Sequence, residues 1–313
     1  MKPLPALELV TRLEDADWLD PLAKKVRKLV KRTIRPQWAR DVLHGVPIGH
    51  PVHPLAVQVP LGAWISAAVL DALPGNGKAS AVLIGVGSAS AVPSAVAGFM
   101  DWSQLHPQQQ RVGLVHATAN ITAVGLYTAS LVARTRGRQD AGKALAYLGL
   151  GVVSFGGFLG GHLSYRQAAG ANHTEDVPHR FPSGWQPLGP LEDLPDGKLH
   201  QRVVAGIPLL VFRESESVSV LSDVCSHLSG PLHEGKLKGG SLAAGSPAHG
   251  SGSGGGGADG AGGGEPCVVC PWHGSTFSLR SGEVQAGPAT SRQPRFETRV
   301  TGGLVEVNLP GAD

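Results

Sequence analysis

Two stretches, CSHLSGP at residues 225–231 and CPWHGS at residues 270–275, determine how the C-terminal part of this chain is interpreted. Each carries one cysteine and one histidine, and the four residues are Cys225, His227, Cys270 and His273. Two thiols and two imidazoles are thus offered as matched pairs on two short segments. Because both groups are good metal ligands, the pattern indicates a metal site.

Two kinds of metal centre use two cysteines and two histidines. A 2Fe–2S cluster of the Rieske type holds one iron with cysteine and the other with histidine, so each segment would give one ligand to each iron. A structural zinc ion would instead take all four side chains as one tetrahedron. We favour the cluster and keep zinc as the alternative.

The same segments resemble Rieske iron–sulfur domains. CSHLSGP and CPWHGSTF are similar to the two ligand boxes of that family, and residues 281–284 and 287–289 fit its proline-loop region. The resemblance implies a small antiparallel β-domain with the cluster at one tip. It also implies that His227 and His273 lie at the exposed end and that Ser275 donates a hydrogen bond toward the cluster, which would raise its reduction potential.

The high-potential branch of this family has an extra cysteine in each box, and the two cysteines form a disulfide. Gly230 and Trp272 stand at those positions here. The chain therefore resembles the ferredoxin-type branch, which suits a reducing compartment. Cys267 forms a C-x-x-C with Cys270, which could indicate a redox dithiol. We interpret Cys267 as a spare thiol, because Cys270 already serves the metal site.

The two boxes lie farther apart than is usual in the family. Residues 228–269 separate His227 from Cys270, and most of the excess is a Gly/Ser/Ala tract at residues 239–264. Such a composition predicts a flexible loop. Lengthening a loop from about 16 to 42 residues costs only about 0.9 kcal/mol. The insertion should therefore not prevent metal binding.

Four apolar segments occupy the middle of the chain, at residues 54–73, 79–100, 112–133 and 144–165. Each is about 20 residues long, the length that a helix needs to cross roughly 30 Å of hydrocarbon. The only charged or histidine side chains inside them are Asp71, His116 and His162. We therefore predict four transmembrane helices. Buried helices of a soluble domain are the alternative.

The segment before these spans is strongly basic. It has eight basic residues and no acid between positions 21 and 40 (Lys24, Lys25, Arg27, Lys28, Lys31, Arg32, Arg35 and Arg40), with apolar residues at helical spacing. This predicts an amphipathic helix on an anionic membrane surface. The loop between spans three and four has four basic residues, which favour the opposite orientation: Arg134, Arg136, Arg138 and Lys143. The denser N-terminal group predicts a multi-pass protein of the cell membrane with both termini in the cytoplasm.

Four histidines lie at one end of the predicted spans: His50, His53, His116 and His162. In a four-span bundle they gather at the face that carries both termini. A histidine in hydrocarbon is costly and indicates function. A pair could ligate haem b, or the group could hold a metal ion or a quinone. The alternative is that these histidines only end helices or join them by hydrogen bonds.

Residues 45–170 resemble a family of uncharacterised four-span bacterial membrane domains. The segments that carry the likeness are GHPVHP at 49–54, DW at 101–102, RVGLVH at 111–116 through Asn120, and GGHL at 160–163. The resemblance supports a membrane location and implies no activity.

The predicted architecture therefore has two parts, an all-α four-helix transmembrane bundle and an all-β Rieske domain. We expect a basic amphipathic segment at 1–45, the bundle at 46–166, a linker at 167–184 and the Rieske domain at 185–313. Strands are predicted at residues 201–204, 208–213, 217–222, 276–279, 295–301 and 304–307.

These features favour a membrane-bound carrier of single electrons over a self-sufficient enzyme. No histidine follows Ser275, so we expect any oxygenase site of two histidines and a carboxylate to lie on another chain. The expected partners are a redox protein or a quinone and membrane lipid, and the sequence leaves a homo-oligomer open. The net charge of +3 gives no indication of nucleic-acid binding. The alternative function is redox sensing, with the membrane domain only an anchor.

Overall fold

The computed structural model describes residues 5–242 and 264–311. The chain folds into two units, one mainly helical and one mainly of β-strands. The helical unit comprises the described residues of Met1–Arg35 together with Pro51–Gly170. The β unit comprises Pro36–His50 together with the described residues of Ala171–Asp313.

Nine α-helices are present in the described part of the chain. They are α1 (Pro5–Glu14), α2 (Asp20–Thr33), α3 (Gln37–His44), α4 (Val52–Ala56), α5 (Gln58–Ala72), α6 (Gly77–Trp102), α7 (Pro107–Thr135), α8 (Gln139–Gly161) and α9 (Val177–Arg180). A π-helical turn at His162–Arg166 extends α8. Helices α3 and α9 belong to the β unit, and the others belong to the helical unit.

The four predicted spans are all helical. Three stretches are long and apolar enough to cross a membrane: Val52–Ala72, Gly77–Trp102 and Gln139–Arg166. Only 22–28% of the residues in the most apolar part of each stretch are buried within the protein, and many apolar side chains are exposed, as expected for helices in lipid. Helix α7 is 29 residues long but less apolar, because it begins with three glutamines and Arg111. Its crossing of the membrane stays a prediction.

The core of the helical unit is built on aromatic stacking and small residues. Trp64 of α5 stacks on Tyr127 of α7 with ring centroids 4.3 Å apart. A Cβ atom on Gly87 would lie 2.5 Å from the Trp64 ring, and one on Gly149 would lie 3.2 Å from Tyr127. Glycine at both positions therefore lets the helices approach the two rings closely.

A buried ion pair joins two helices of this unit. Arg134 of α7 donates two hydrogen bonds to the carboxylate of Asp71 of α5, at 2.9 and 2.5 Å. The side chains are 3% and 0% exposed. The sequence pattern puts Arg134 in the loop between spans three and four, whereas it lies inside α7.

The basic N-terminal segment forms two helices rather than one. Helix α2 ends at Thr33, and α3 begins at Gln37 after Pro36. A proline has no N–H to donate and disfavours helical geometry in the residue before it, which explains the break. Leu22 and Leu29 on α2 are exposed, so the helix presents apolar side chains beside its lysines and arginines.

The β unit contains ten strands in two antiparallel sheets. They are β1 (Gln186–Pro190), β2 (Leu199–Val204), β3 (Ile207–Glu214), β4 (Ser217–Ser222), β5 (Lys236–Lys238), β6 (Cys267–Val269), β7 (Thr276–Ser278), β8 (Val284–Ala286), β9 (Arg295–Thr301) and β10 (Leu304–Asn308). The larger sheet has the order β1-β10-β9-β4-β3-β2, and the smaller has the order β5-β6-β7-β8.

Strand β3 is buried on both faces of the larger sheet. Leu209 and Val211 face one hydrophobic core, whereas Leu210 and Phe212 face a second. This alternation follows from the two-residue period of a strand. The second core also contains Cys225 and Cys270, so the metal-site loops are anchored between the sheets.

All six predicted strands are present, and their ends agree to within two residues. The Gly-rich insertion begins where β5 ends and returns before β6, and Gly240 N–H donates to Gly264 O at its base. Residues 243–263 lie outside the described part of the chain. The prediction of a flexible loop at 239–264 therefore stays a prediction.

Candidate metal centre

The first ligand loop (residues 223–231) follows β4. Cys225 N–H donates to Gly230 O at 2.9 Å, and Ser229 N–H donates to Cys225 O at 2.9 Å. Ser229 has a φ of +62°, which is uncommon for a residue with a Cβ atom. These contacts fold the loop back on itself, so that its cysteine and histidine lie close to the turn.

The second ligand loop (residues 270–275) joins β6 to β7 and repeats this arrangement. Cys270 N–H donates to Ser275 O at 2.8 Å, and Gly274 N–H donates to Cys270 O at 3.1 Å. Gly274 takes the left-handed conformation at the position that corresponds to Ser229. The two loops thus share one hydrogen-bond pattern. They differ in sequence spacing, because His227 lies two residues after Cys225 whereas His273 lies three residues after Cys270.

The two thiols form a pair in the buried interior of the site. The hydrogen bond with the Cys225 thiol lowers the pKa of Cys270 to about 7, and the backbone N–H groups of Trp272 and His273 act in the same direction. The same hydrogen bond, with burial, raises the pKa of Cys225. The backbone amides of His227 and Leu228 favour its thiolate. Both sulfurs therefore receive N–H donors that would stabilise sulfur-bound negative charge.

The two imidazoles form a second pair. The ring centroids of His227 and His273 are 5.3 Å apart, with an interplanar angle of 86°. Across residues 5–242 and 264–311, no three histidine, cysteine or carboxylate side chains group around a point that one metal ion could occupy. A pair of thiols and a pair of imidazoles is the ligand set that the two irons of a Rieske-type 2Fe–2S cluster use.

The positions that would carry the disulfide in the high-potential branch are adjacent. A Cβ atom on Gly230 would lie 3.1 Å from the Trp272 ring and 2.9 Å from Cys270 Sγ. All three cysteines of the chain are free thiols. The Trp272 ring and the bare backbone of Gly230 thus occupy the place of that bridge.

A third loop (residues 287–294) leads into β9 and supports both ligand loops. Gln293 is fully buried, and its Oε1 accepts from Ser226 N–H at 2.8 Å while its Nε2 donates to Ser222 O and Val224 O at 3.0 and 2.7 Å. Ala289 N–H donates to Ser275 Oγ at 3.0 Å. The Ser275 hydroxyl thus accepts a bond from the third loop and keeps its own proton for donation.

Two side chains near the first ligand loop were not identified from the sequence as part of the site. Asp223 accepts bonds from His233 N–H and Gln201 Nε2 at 2.7 and 2.6 Å, which fixes the base of the loop. His173 donates its backbone N–H to Ser226 O at 2.9 Å, and its ring contacts the Ser229 hydroxyl. Residue 173 belongs to the expected linker, so this part of the segment packs on the site.

Cys267 lies apart from the thiol pair. It begins β6, and its thiol donates to Glu265 O at 3.2 Å. Burial raises its pKa to about 11. A high pKa and a buried sulfur fit an inert thiol rather than a redox dithiol partner of Cys270.

The structure brings two of the four membrane-domain histidines together. His53 and His116 lie with ring centroids 6.2 Å apart. Their Nδ1 atoms donate to the carbonyl oxygens of Ser94 and Gly156, at 2.8 and 2.7 Å. His162 Nε2 instead contacts Glu14 Oε1 at 2.6 Å. His50 falls in the β unit.

Two family models match this chain, and each covers one of its two parts. Residues 184–297 match the family model described as Rieske [2Fe-2S] domain, and residues 49–173 match the model described as predicted membrane protein (DUF2231). The chain thus carries a Rieske domain, whose cofactor is a 2Fe–2S cluster, after a membrane domain.

Similar proteins belong to electron-transfer systems. The ferredoxin subunit of anthranilate 1,2-dioxygenase from Burkholderia cepacia is 26% identical over 125 residues, which are 40% of this chain and 92% of that protein. The oxygenase component of 3-ketosteroid-9-alpha-monooxygenase from Mycolicibacterium smegmatis is 32% identical over 141 residues, 43% of this chain but only 30% of that protein. The ferredoxin of carbazole 1,9a-dioxygenase from Nocardioides aromaticivorans is 23% identical with a TM-score of 0.31, covering 41% of this chain and 99% of that one.

Proposed function

We propose that this protein is a membrane-anchored carrier of single electrons, with its cluster held by Cys225, Cys270, His227 and His273. One observation supports this most strongly: two loops with the same hydrogen-bond pattern present a pair of thiols and a pair of imidazoles. A bound 2Fe–2S cluster supplies transfer of one electron at a time. The amide N–H groups around both sulfurs would stabilise the charge of the cysteine ligands.

The cysteines and histidines of the site would have different roles in such a carrier. Cys225 and Cys270 are nearly inaccessible, which suits ligands of the inner iron. His227 and His273 are part-exposed, and Trp272, which contacts the His273 ring, is 47% exposed. A partner could therefore approach the histidine side while the sulfur side stays in the core. Electron exchange would then occur through the imidazoles.

The relatives indicate the kind of partner. They are ferredoxin and oxygenase components, so we propose that the partner is another protein of an oxidoreductase system and that this chain is its electron-transfer component. Anaerobically purified protein in detergent should contain two irons and two sulfides per chain and give a reversible one-electron redox titration. Protein that contains one zinc and neither iron nor sulfide would refute the proposal.

Redox sensing is the competing function. A carrier should keep its cluster through repeated reduction with dithionite and reoxidation with ferricyanide, because each cycle returns the same species. A sensor that responds to oxidative damage should lose iron within the first cycles. Iron content after successive cycles therefore separates the two functions.

We also propose that the β unit faces the cytoplasm. The basic N-terminal segment supports this orientation, since lysine and arginine are enriched in cytoplasmic flanks. One of the four basic residues that argue for the opposite orientation, Arg134, is neutralised by Asp71 in a buried pair. Green fluorescent protein fused to either end should fluoresce in a bacterial host, and alkaline phosphatase fused there should be inactive. Active alkaline phosphatase would reverse the assignment.

A second redox group in the helical unit is favoured by the His53–His116 pair. A carbonyl oxygen can only accept, so Nδ1 of each ring must be the protonated nitrogen, and in the neutral ring Nε2 is then an acceptor. That tautomer suits ligation of haem iron or another metal, which would displace the Asn120 amide from its contact with His116 Nε2 at 3.3 Å. The same nitrogen can accept a bond from a quinol hydroxyl but cannot donate to a quinone carbonyl. His53→Ala and His116→Ala should remove a Soret band that His162→Ala keeps. Wild-type protein without haem or a second metal would end this proposal.

A further inference from the structure

The segment that precedes the membrane domain is built into the β unit. It comprises α3 and a short 3-10 turn at Val46–Ile48, which are joined by Gly45 in a left-handed conformation with φ of +88°. The segment enters the helical unit at Pro51. Its contacts are with the third loop, beside the second ligand loop.

Asp41 of α3 is the main polar contact. Its Oδ1 accepts from Gly287 N–H at 2.9 Å, and Gln37 Nε2 donates to the same oxygen at 2.8 Å. The carboxylate is thus held from its own helix and aimed at the backbone of the third loop. A hydrogen bond to a charged acceptor is stronger than a neutral one.

Gly287 also packs closely on this segment. A Cβ atom there would lie 2.8 Å from Val46 Cγ2 and 3.3 Å from Asp41 Oδ1. No side chain fits between the third loop and the segment unless one of them moves. His44, which is 3% exposed, lies on the same side, with its Cβ 3.7 Å from a Cβ atom on Gly287.

The contact continues to the second ligand loop. Two residues after Gly287, Ala289 N–H donates to Ser275 Oγ at 3.0 Å. Ser275 is fully buried, and its carbonyl accepts from Cys270 N–H at 2.8 Å. A displacement of Gly287 would therefore move the hydroxyl that the third loop holds next to the ligand cysteine.

From this chain of contacts we infer that Asp41 is a positioning residue of the metal centre, which acts through Gly287 and Ala289 on Ser275. The inference rests on the proposed cluster, and it makes residues 36–50 a functional part of the Rieske unit. It also ties the stretch that enters the membrane domain to the loop that tunes the cluster. Losing this acceptor should loosen the third loop without touching a ligand.

The test compares variants of the full-length protein. Asp41→Ala should speed iron loss to a chelator about tenfold, the rate equivalent of about 1.4 kcal/mol, and shift the reduction potential. Gly287→Ala should do the same, because its methyl group meets Val46. Asp41→Glu keeps a charged acceptor, so its rate of iron loss and its reduction potential should lie between those of the wild type and Asp41→Ala. Asp176→Ala, which removes an exposed ion pair of the same unit, is the matched control.

The outcomes separate the inference from the function on which it rests. Wild-type protein without iron and sulfide would refute the proposed function. Wild-type protein with a normal cluster, but Asp41→Ala and Gly287→Ala variants with unchanged potential and iron loss, would refute only the positioning role. Lower thermal stability with an unchanged potential would likewise overturn it, because a merely structural contact would behave in that way.

Discussion

The pairs His227–His273 and His53–His116 have nearly the same geometry in different surroundings. Both place two imidazoles edge to face at 86°, with ring centroids 5.3 and 6.2 Å apart. The first pair lies on two loops that also bring two thiols together. The second lies on α4 and α7, and both of its Nδ1 atoms donate to carbonyl oxygens of other helices, α6 and α8.

The difference explains why we propose the cluster at one pair and not at the other. Imidazole spacing alone does not separate the two, because nearly equal spacings arise from loops and from helices. The thiols and the amide donors around them occur only with His227 and His273 among the residues that the structure describes. The two thiols are therefore the reason for proposing the cluster at His227 and His273. The following predictions test that proposal.

Removing one ligand sulfur should have the largest effect. Cys270→Ser should abolish the cluster, because serine replaces the thiolate of one iron, and iron and sulfide content should fall to background. Cys267→Ser is the matched control, since Cys267 is also buried but lies outside the pair. Loss of iron from the control and not from Cys270→Ser would reverse the roles of the two cysteines.

Removing one imidazole from each pair tests the comparison itself. His273→Ala should lose most of its iron, or retain a cluster without the histidine-dependent pH response of its potential. His116→Ala should keep the full 2Fe–2S content, because its ring contacts Gly156 and His53 of the helical unit. Iron and sulfide analysis of both variants measures this. Equal loss of the cluster from both variants would show that the two histidine pairs do not differ in cluster binding.

The helical unit should depend on a different interaction. Asp71→Ala leaves Arg134 buried and unpaired, which should reduce the free energy of unfolding by about 3–5 kcal/mol. Asp140→Ala, at an exposed site on α8, should change it by less than about 0.5 kcal/mol. Unfolding in detergent monitored by circular dichroism gives both values. Similar stability of the two variants would show that the pair contributes little.

Ser275 should tune the cluster by a smaller amount. If its hydroxyl donates toward the cluster, Ser275→Ala should lower the reduction potential by about 40 mV, the one-electron equivalent of about 1 kcal/mol. Ser278→Ala is the control, because its hydroxyl bonds to Glu265 instead. A redox titration that gives equal potentials for wild type and Ser275→Ala would remove Ser275 from the site.

The smallest expected effect concerns the spare thiol. Because burial raises the pKa of Cys267 to about 11, only about 0.1% of it is thiolate at pH 8. Alkylation of the intact protein by iodoacetamide should therefore be slow at pH 8 and rise until about pH 11. Mass spectrometry locates the label. Rapid labelling at pH 8 would show an exposed, reactive cysteine.

Much of the fold could be predicted because its signals are local. The apolar segments indicated the four long helices, and strand periodicity found the longer strands of the larger sheet. Strands β1, β5, β6 and β8 were missed. Strands β5, β6 and β8 have only three residues each, and β1 contains two prolines and a glycine, so none of them shows a clear alternating pattern. The single basic helix over residues 21–40 was wrong in extent, because Pro36 divides it.

Only those site residues that belong to a short sequence motif could be predicted. The ligand candidates follow from two short boxes, but their supports come from distant positions. Asp41 lies 246 residues from Gly287, and Gln293 lies 67 residues from Ser226. Asp71 and Arg134 are likewise 63 residues apart. Such pairings depend on the tertiary fold, and no spacing in the sequence encodes them.

The central claim is that two cysteines and two histidines of the β unit hold a 2Fe–2S cluster. Pulsed EPR on reduced protein with 15N-labelled histidine tests it most directly. We expect hyperfine coupling to two histidine nitrogens, unchanged in His53→Ala and lost in part in His273→Ala. A reduced cluster without nitrogen coupling, or coupling that is lost with His53, would contradict the claim.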